Sequence, residues 1–213
     1  MKKLIGYLHF IDIKMQREFL TKESWLDTCS LELGESEFQK IWNLCPKERG
    51  KVMVFGEKTT PRFQQSYIRD YTFSGVESKA LPLPIELERY LKWANLIPQY
   101  EGKFNQALLN FYSDGTQYIS PHSDSEAQLI PNSPIMTITL SLSKNKETDR
   151  IFRIRKKDGE KKIVKDVCTS NGLVLIMGGK FQKEFRHEIV KISGQKAEKT
   201  PARISITFRQ FIE

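Results

Sequence analysis

Short apolar runs recur along the second half of this chain. They occupy residues 107–112, 135–140, 173–177 and 204–208. Apolar runs of this length, separated by polar or glycine-containing segments, are typical of buried β-strands. We therefore expect an α+β protein, mostly β, in which stacked strands of the C-terminal half form the core.

Two helices are predicted ahead of these strands. The segment Ser36-Glu-Phe-Gln39 has the capping-box pattern, so a helix is expected to begin at Ser36. A second helix is expected over residues 84–96, because its apolar side chains recur at helical spacing and Pro98 follows its end. Those apolar residues are Leu87, Tyr90, Leu91 and Ala94. Both helices would support the sheet.

The length of 213 residues suits one substantial core and is short for two independent ones. We expect a single domain over residues 1–213, with the catalytic core from about residue 101 and supporting structure before it.

The apolar stretch 4–13 is too short to span a membrane and has no cleavage site, so we expect neither a membrane partner nor secretion. Three cysteines match no metal or disulfide framework, which favours a reducing, intracellular compartment, in nucleus or cytoplasm. A monomer is the default expectation.

Two of the three histidines belong to one candidate metal site. His122 and Asp124 lie in an extended segment where residues two apart point to the same side, and His187 lies in a second strand-like segment. Two imidazoles and one carboxylate leave three positions open on Fe(II), as in non-haem iron oxygenases. On these residues alone, a zinc site or a hydrogen-bonded pair of structural histidines remains an alternative.

A strictly alternating segment near the C-terminus carries two arginines. In residues 203–209, Ile204, Ile206 and Phe208 share one face of a predicted strand. The other face carries Arg203, Ser205, Thr207 and Arg209. A small dicarboxylate such as 2-oxoglutarate needs a bidentate cation at each end, and a strand of six residues spans only about 20 Å. This segment therefore favours a dicarboxylate pocket over the alternative, a solvated outer face.

Taken together, these features resemble the AlkB group of Fe(II)/2-oxoglutarate-dependent dioxygenases, which demethylate nucleic acids. The likeness extends from about Val54 to Arg209 and is closest to the branch that repairs methylated bases in DNA and RNA. Its motifs, in the order of the family, are residues 61–64, 71–75, 110–115, 122–126, 133–135, 150–152, 172–177, 187 and 203–209. The resemblance implies a double-stranded β-helix (jelly roll) core, with a nucleotide-recognition lid in the first 100 residues.

The resemblance also implies the iron and co-substrate residues. The iron ligands would be His122, Asp124 and His187. Arg203 would bind the distal carboxylate of 2-oxoglutarate, and Arg209 would bind the carboxylate beside the metal. The same pocket would be completed by Asn110, Tyr112 and Thr207.

For the nucleobase, the resemblance implies a separate set of contacts. The base pocket would be lined by Tyr71, Phe73 and Ser74, with Phe73 facing His122 across the base. Glu126 would contact the polar edge of the base, and Phe55 would be the tip of a finger that fills the gap left by a flipped base. The alternatives are a core role for the two phenylalanines and a solvated loop charge at Glu126.

The charge balance agrees with a polyanionic partner. Lysine and arginine number 34 against 26 acidic residues, a formal net charge of +8. Basic clusters occur at residues 153–157, 161–162 and 191–199, each of which would contact phosphates or simply be a solvated face.

The expected reaction is the oxidative demethylation of 1-methyladenine and 3-methylcytosine in DNA, with RNA as a second substrate. It would use Fe(II), 2-oxoglutarate and O₂, and would release formaldehyde, succinate and CO₂. Two alternatives share part of the pattern. One is a 2-oxoglutarate oxygenase that acts on a protein or small molecule, and the other is a catalytically silent nucleic-acid-binding domain.

Overall fold

The computed structural model describes residues 14–53, 56–73, 75–100, 103–124, 127–144, 146–158 and 162–212. Within these ranges the strands are β1 Gln16–Phe19, β2 Ser24–Ser30, β3 Lys51–Met53, β4 Glu57–Thr59, β5 Phe63–Tyr67, β6 Tyr71–Phe73, β7 Val76–Ser78, β8 Ala80–Leu81, β9 Gln106–Tyr112, β10 Ile119–His122, β11 Ile135–Ser141, β12 Arg150–Lys156, β13 Ile163–Thr169, β14 Leu173–Gly179, β15 Phe185–Ile189 and β16 Arg203–Arg209. The helices are α1 Glu35–Trp42, α2 Ile85–Asn95, α3 Phe181–Glu184 and α4 Gln195–Glu198, with a 3₁₀ turn at Pro98–Tyr100.

Two sheets form the body of the molecule. In the described part of the chain, the larger has eight strands in the order β1-β2-β14-β11-β16-β9-β5-β8, and the smaller has four in the order β10-β15-β12-β13. All neighbours are antiparallel except β5 and β8. Apolar side chains of both sheets, such as Leu175 and Phe152, pack in one cluster between them. The predicted double-stranded β-helix is therefore confirmed.

A second cluster covers the outer face of the larger sheet. Helix α2 buries Leu87, Tyr90, Trp93 and Ala94 against it. From the sheet, β16 contributes Ile204, Ile206 and Phe208, the apolar face that the alternating pattern predicts. Fully burying one such large apolar side chain is worth roughly 1.5–3 kcal/mol. The helices therefore cover the outside of the sheet and leave its inner face for the space between the sheets.

The inner face of the larger sheet is where the polar residues of β16 lie. Arg203, Ser205, Thr207 and Arg209 are all buried, at 1–6% exposure. A solvated outer face for this strand is thus excluded. Burial of two guanidiniums on one strand costs free energy unless their charges are paired, so the cavity that they line is a candidate anion site.

Both predicted helices are present, but the first has a different cap. Helix α1 begins at Glu35, and its N-cap is Gly34 rather than Ser36. The Gly34 N–H donates to Glu37 Oε2 at 2.6 Å, so the reciprocal half of the capping box is made by Glu37 and not by Gln39. Helix α2 matches the prediction within one residue at each end, Pro84 and Leu96 being its caps.

Residues ahead of position 100 also build the larger sheet. Strand β2 pairs with β14, and β5 pairs with β9. Buried Asp27 on β2 accepts a bidentate ion pair from Arg17 and a hydrogen bond from the Tyr100 hydroxyl. These contacts hold β1 and β2 against the rest of the larger sheet.

Among the helices described, none has the length and apolar character needed to cross a lipid bilayer.

Gly172 holds the turn between β13 and β14 where another side chain would not fit. Its φ is +80°, and an added Cβ would overlap the Leu31 carbonyl, which is beside it because the Leu31 N–H donates to Gly172 O at 2.9 Å. Gly172→Ala is expected to lower the free energy of unfolding by about 2–4 kcal/mol, through backbone strain and displacement of β2. The free energy of unfolding of both proteins is measured by urea denaturation. The matched control is Gly194→Ala, where φ is +67° but nothing lies within 4 Å, and a loss equal to the control would contradict the steric explanation.

Candidate active site

The three predicted metal ligands converge at one end of the space between the sheets. His122 at the end of β10 pairs directly with His187 on β15, and Asp124 follows two residues later. The Nε2 atoms of His122 and His187 lie 3.6 and 4.0 Å from Asp124 Oδ1, and one ligand atom from each residue lies within 4.8 Å of the others. All three side chains can therefore reach a single ion with small rotations.

Hydrogen bonds and burial favour the orientation and charge state in which these side chains bind a cation. His122 Nδ1 lies 2.9 Å from Ser120 O, and since a carbonyl only accepts, Nδ1 donates this bond, while Nε2 is the ring nitrogen that faces Asp124. Burial lowers the pKa of His187 to about 3, so this ring is neutral at physiological pH. Burial opposes ionisation of Asp124, but Arg209 and the two imidazoles hold the pKa of its carboxyl well below the ordinary value. Neutral imidazole and ionised carboxylate are the forms that bind metals.

One carboxylate oxygen is left without a hydrogen-bond donor. Asp124 Oδ2 accepts from Arg209 Nε at 3.0 Å, while the buried Oδ1 has no partner among the described residues. A buried unpaired oxygen is costly unless a cation or donor satisfies it. Oδ1 is also the atom nearest to both imidazoles, so the donor set fits a divalent metal with His₂Asp ligation.

The predicted co-substrate residues line the same cavity as the triad. They come from the inner faces of β9 and β16, which pair antiparallel with Asn110 opposite Ser205 and Tyr112 opposite Arg203. The five residues are Asn110, Tyr112, Arg203, Thr207 and Arg209. The sheet register thus brings them together, and their individual roles stay predictions.

Arg203 is a buried guanidinium whose side-chain hydrogen-bond partners among the described residues are neutral. Its Nε and Nη2 donate to the hydroxyls of Thr169 and Thr139, both at 3.1 Å, and Nη1 has no partner among the described residues. The guanidinium carbon lies 5.3 Å from the centroid of the Tyr112 ring. Burial lowers the pKa of Arg203 to about 10. A carboxylate at this position would supply the missing acceptor and charge.

Arg209 lies beside the metal ligands. Besides Asp124 it donates to Gln106 Oε1 at 3.1 Å, and its guanidinium carbon lies 4.6 Å from the centroid of the Tyr71 ring. Burial alone would favour the neutral form, but the Asp124 carboxylate raises the pKa of Arg209. The two arginines therefore differ, because Arg209 forms an ion pair with Asp124, whereas Arg203 forms none with any described residue.

Strand β6 carries two of the predicted base-pocket residues to the entrance of this cavity. Tyr71 is buried and lines it, and the Phe73 ring centroid lies 5.4 Å from that of His122 at nearly a right angle. Phe73 is half-buried rather than part of the core interior. The other predicted substrate contacts, Phe55, Ser74 and Glu126, lie outside the described residues.

Comparison with known proteins identifies the family to which this chain belongs. Residues 15–209 match the 2OG-Fe(II) oxygenase superfamily. The chain belongs to this superfamily. Membership makes it a dioxygenase and implies Fe(II), 2-oxoglutarate and O₂, which resolves the choice between iron and zinc that the donor set leaves open.

Relatives support the AlkB resemblance within this superfamily. The chain is 29% identical to DNA oxidative demethylase ALKBH2 of Mus musculus over 196 residues, which cover 84% of this chain and 77% of that protein. It is 27% identical to ALKBH2 of Homo sapiens over 194 residues, covering 84% and 70%. The solved structure of OsALKBH1 shares the fold, with a TM-score of 0.56, 17% identity and coverage of 92% of this chain and all of that one.

Two residues near the cavity of this oxygenase had no role predicted from the sequence, although Arg62 lies in the motif at residues 61–64. Arg62 lines the cavity at 2% exposure, and Gln182 Oε1 accepts a hydrogen bond from the Asp124 N–H at 2.9 Å. A signal for the first exists, since Arg62, Gln64 and Ser66 are polar at alternate positions of one strand-like segment. For Gln182 there is none, because its contact depends on how α3 packs beside residue 124.

The basic cluster at residues 153–157 is partly neutralised. Arg153 and Arg155 form ion pairs with Asp166 and Glu188, each with an N–O distance of 2.7 Å. Paired guanidiniums are weaker candidates for phosphate contacts than unpaired ones. Of the other clusters, Lys161 lies outside the described residues and Lys191 lies 5.6 Å from the centroid of the Tyr118 ring.

Proposed function

We propose that this oxygenase demethylates N-alkylated bases in DNA, with 1-methyladenine and 3-methylcytosine as substrates and RNA as a second polymer. Three kinds of support agree. They are the metal and dicarboxylate cavity, the aromatic ring at its entrance, and relatives named as DNA oxidative demethylases. The observation that carries the proposal is the position of Phe73. Its half-buried ring has its centroid 5.4 Å from that of the His122 ring, beside a predicted metal ligand, where an aromatic surface would bind a planar substrate.

Each group in the cavity has a role in this proposal. Bound Fe(II), with 2-oxoglutarate and O₂, supplies the oxidising power that hydroxylates an N-methyl group; the product loses formaldehyde. Arg203 holds the distal carboxylate of 2-oxoglutarate in the dry interior, and Arg209 steadies both Asp124 and the carboxylate beside the metal. The rings of Phe73 and His122 are in edge contact, so Phe73 would turn away from His122 to admit the base and then stack on it, which would place the methyl group near the metal.

Two hairpins beside the entrance are candidates for the nucleotide-recognition lid. Strand β3 of the β3–β4 hairpin contacts β7 of the β6–β7 hairpin, and a Cβ added at Gly75 would lie 3.6 Å from Met53 Cβ. The proposed finger residue Phe55 falls between β3 and β4 in the sequence and lies outside the described residues. Because β3 contacts β7, the partner of the strand that carries Phe73, we assign to this hairpin the finger that fills the gap left by a flipped base.

Phe73→Ala is expected to reduce formaldehyde release from a methylated oligonucleotide by about thirtyfold, since stacking on an aromatic ring contributes about 1–3 kcal/mol per base. Affinity for 2-oxoglutarate should stay within twofold of the wild type, because Phe73 is at the entrance. Parallel assays of formaldehyde and of 2-oxoglutarate binding measure the two effects. Phe19→Ala, at an exposed phenylalanine of β1, is the matched control. Unchanged formaldehyde release in Phe73→Ala would refute the stacking role.

Phe55→Ala is expected to lower activity on duplex DNA by about tenfold while activity on the single strand changes less than twofold. The reason is that only a duplex leaves a gap to fill when its base is flipped. The measurement compares initial rates on one 1-methyladenine oligonucleotide, alone and annealed. Met53→Ala, two residues away on exposed β3, serves as the control for perturbing the hairpin. Equal losses on both substrates would argue against a finger.

A further inference from the structure

Arg62 is a buried cation whose side-chain hydrogen-bond partners, among the described residues, are both neutral. It lies just before β5 and lines the cavity at 2% exposure. Its Nε donates to Asn110 Oδ1 at 2.7 Å and its Nη2 donates to Gln64 Oε1 at 3.0 Å, so both partners are neutral amides. In the described part of the chain it forms no ion pair. Burying a guanidinium in this way is costly, which points to a task that a neutral side chain cannot perform.

The contact with Arg62 sets which way the Asn110 amide faces. Because Oδ1 accepts from Arg62, the Nδ2 group points away from it, and Asn110 lines the cavity that also holds Asp124 and Arg209. The two ends of an amide are nearly equal in shape, so packing does not choose between them. Reversal would set an N–H of Asn110 against the Nε–H of Arg62, with a donor facing a donor.

Arg62 is itself held in place. The Thr60 hydroxyl donates to the Arg62 carbonyl at 2.6 Å, and Thr60 is fully buried. On the far side, Asn110 sits at the centre of β9, between β5 and β16. The donor and the amide therefore belong to rigid elements, and their 2.7 Å contact is well defined.

We propose that Arg62 is a positioning residue that fixes the Asn110 amide with its N–H₂ group toward 2-oxoglutarate. An N–H donor attracts a carboxylate, whereas the amide oxygen would repel it, so orientation decides the sign of the contact. Arginine suits this task better than lysine, because one planar fork holds the Asn110 and Gln64 amides at once. The inference rests on the 2-oxoglutarate chemistry of the superfamily and not on the proposed base substrate.

A double-mutant cycle on 2-oxoglutarate binding tests the proposal. Calorimetric titration of Mn(II)-loaded protein would compare the wild type, Arg62→Gln, Asn110→Ala and the double variant. Arg62→Gln is expected to weaken 2-oxoglutarate binding about tenfold. In the Asn110→Ala background the same substitution should change binding less than about twofold, because the amide through which Arg62 acts is gone. Arg89→Gln, on helix α2 away from the cavity, is the matched control.

Two results would overturn the proposal. One is unchanged 2-oxoglutarate binding in Arg62→Gln, and the other is an equal loss with and without the Asn110 side chain, which would mean direct contact or a general charge effect. If Arg62→Gln does not fold, Arg62→Lys replaces it. Lysine keeps one donor for Asn110 but lacks the fork, so a loss of about threefold is expected, again only where Asn110 is present. Because no nucleic acid is used, failure here leaves the demethylase proposal untouched.

Discussion

Asp124→Ala is expected to lower succinate formation by at least about a thousandfold while nucleic-acid binding stays within about threefold of the wild type. The variant removes the only carboxylate of the His122, Asp124 and His187 cluster, and metal coordination is worth several kcal/mol to such a reaction. It also removes the partner of Arg209. The two assays are succinate formation and binding of a labelled oligonucleotide.

The control for this variant is Asp166→Ala, which removes a carboxylate from the surface ion pair with Arg153. It should leave activity within about twofold, since surface ion pairs contribute little. Asp124→Asn supplies a second test, because it keeps the volume and the acceptor for Arg209 Nε but lacks the charge. Substantial turnover by either Asp124 variant would contradict the assignment of Asp124 as a metal ligand.

Arg203→Met is expected to make the ligand-free protein more stable and to abolish 2-oxoglutarate binding. Burial lowers the pKa of Arg203 from 12.5 to about 10, which corresponds to a cost of about 3 kcal/mol for keeping the charge in the folded protein at neutral pH. Because the folded pKa is the lower one, the cost is present below about pH 10 and disappears as pH rises toward 12.5. The lost hydrogen bonds to Thr139 and Thr169 offset part of the gain, leaving about 1–2 kcal/mol.

Two measurements separate these effects. The melting temperature without ligand should rise by about 4 °C, and the further rise on adding 2-oxoglutarate should vanish. Affinity for 2-oxoglutarate should fall at least about a hundredfold, as expected when a charge partner is lost in a dry cavity. Arg153→Met, on the surface, should show neither change. A destabilised ligand-free variant, or one that keeps its affinity, would mean that Arg203 is a structural residue instead.

Much of this fold follows from local patterns. The alternation of residues 203–209 predicts β16 and its two faces, and the spacing of apolar residues around Tyr90 predicts α2 within one residue. The capping box was less informative, because Ser36 and Gly34 both precede acidic or amide side chains at suitable spacing. Local propensity therefore indicates that a helix begins there, and the contact of Glu37 with the Gly34 backbone decides where.

What lies opposite each face could not be predicted locally. Alternation assigns Arg203 and Arg209 to one side of a strand, but a cavity and solvent give the same pattern. The distinction depends on the smaller sheet, which closes over that side through residues such as Phe152 on β12. The pairing of β2 with β14 is likewise non-local, since it joins segments about 150 residues apart in the chain.

Some residues of the site could be predicted from local sequence, and others depend on contacts between distant segments. The family motifs indicate the triad and the two arginines because their spacing is part of the chemistry. Arg62 lies in the motif at residues 61–64, but its role could not be predicted, because it depends on an amide 48 positions later in the sequence, which the pairing of β5 with β9 brings within 2.7 Å. Residues that act through another residue are hard to find from sequence whenever the contact crosses a sheet.

The most direct test of this account is the ratio of formaldehyde to succinate formed on oligonucleotides with one 1-methyladenine, using Fe(II), 2-oxoglutarate and ascorbate. Mass spectrometry would follow the base, and the unmethylated oligonucleotide would be the control. If the protein demethylates bases, one formaldehyde and one restored adenine will form per succinate above the unmethylated background. Succinate without formaldehyde would contradict the base-demethylase proposal, leave the oxygenase chemistry intact, and favour a protein or small-molecule substrate.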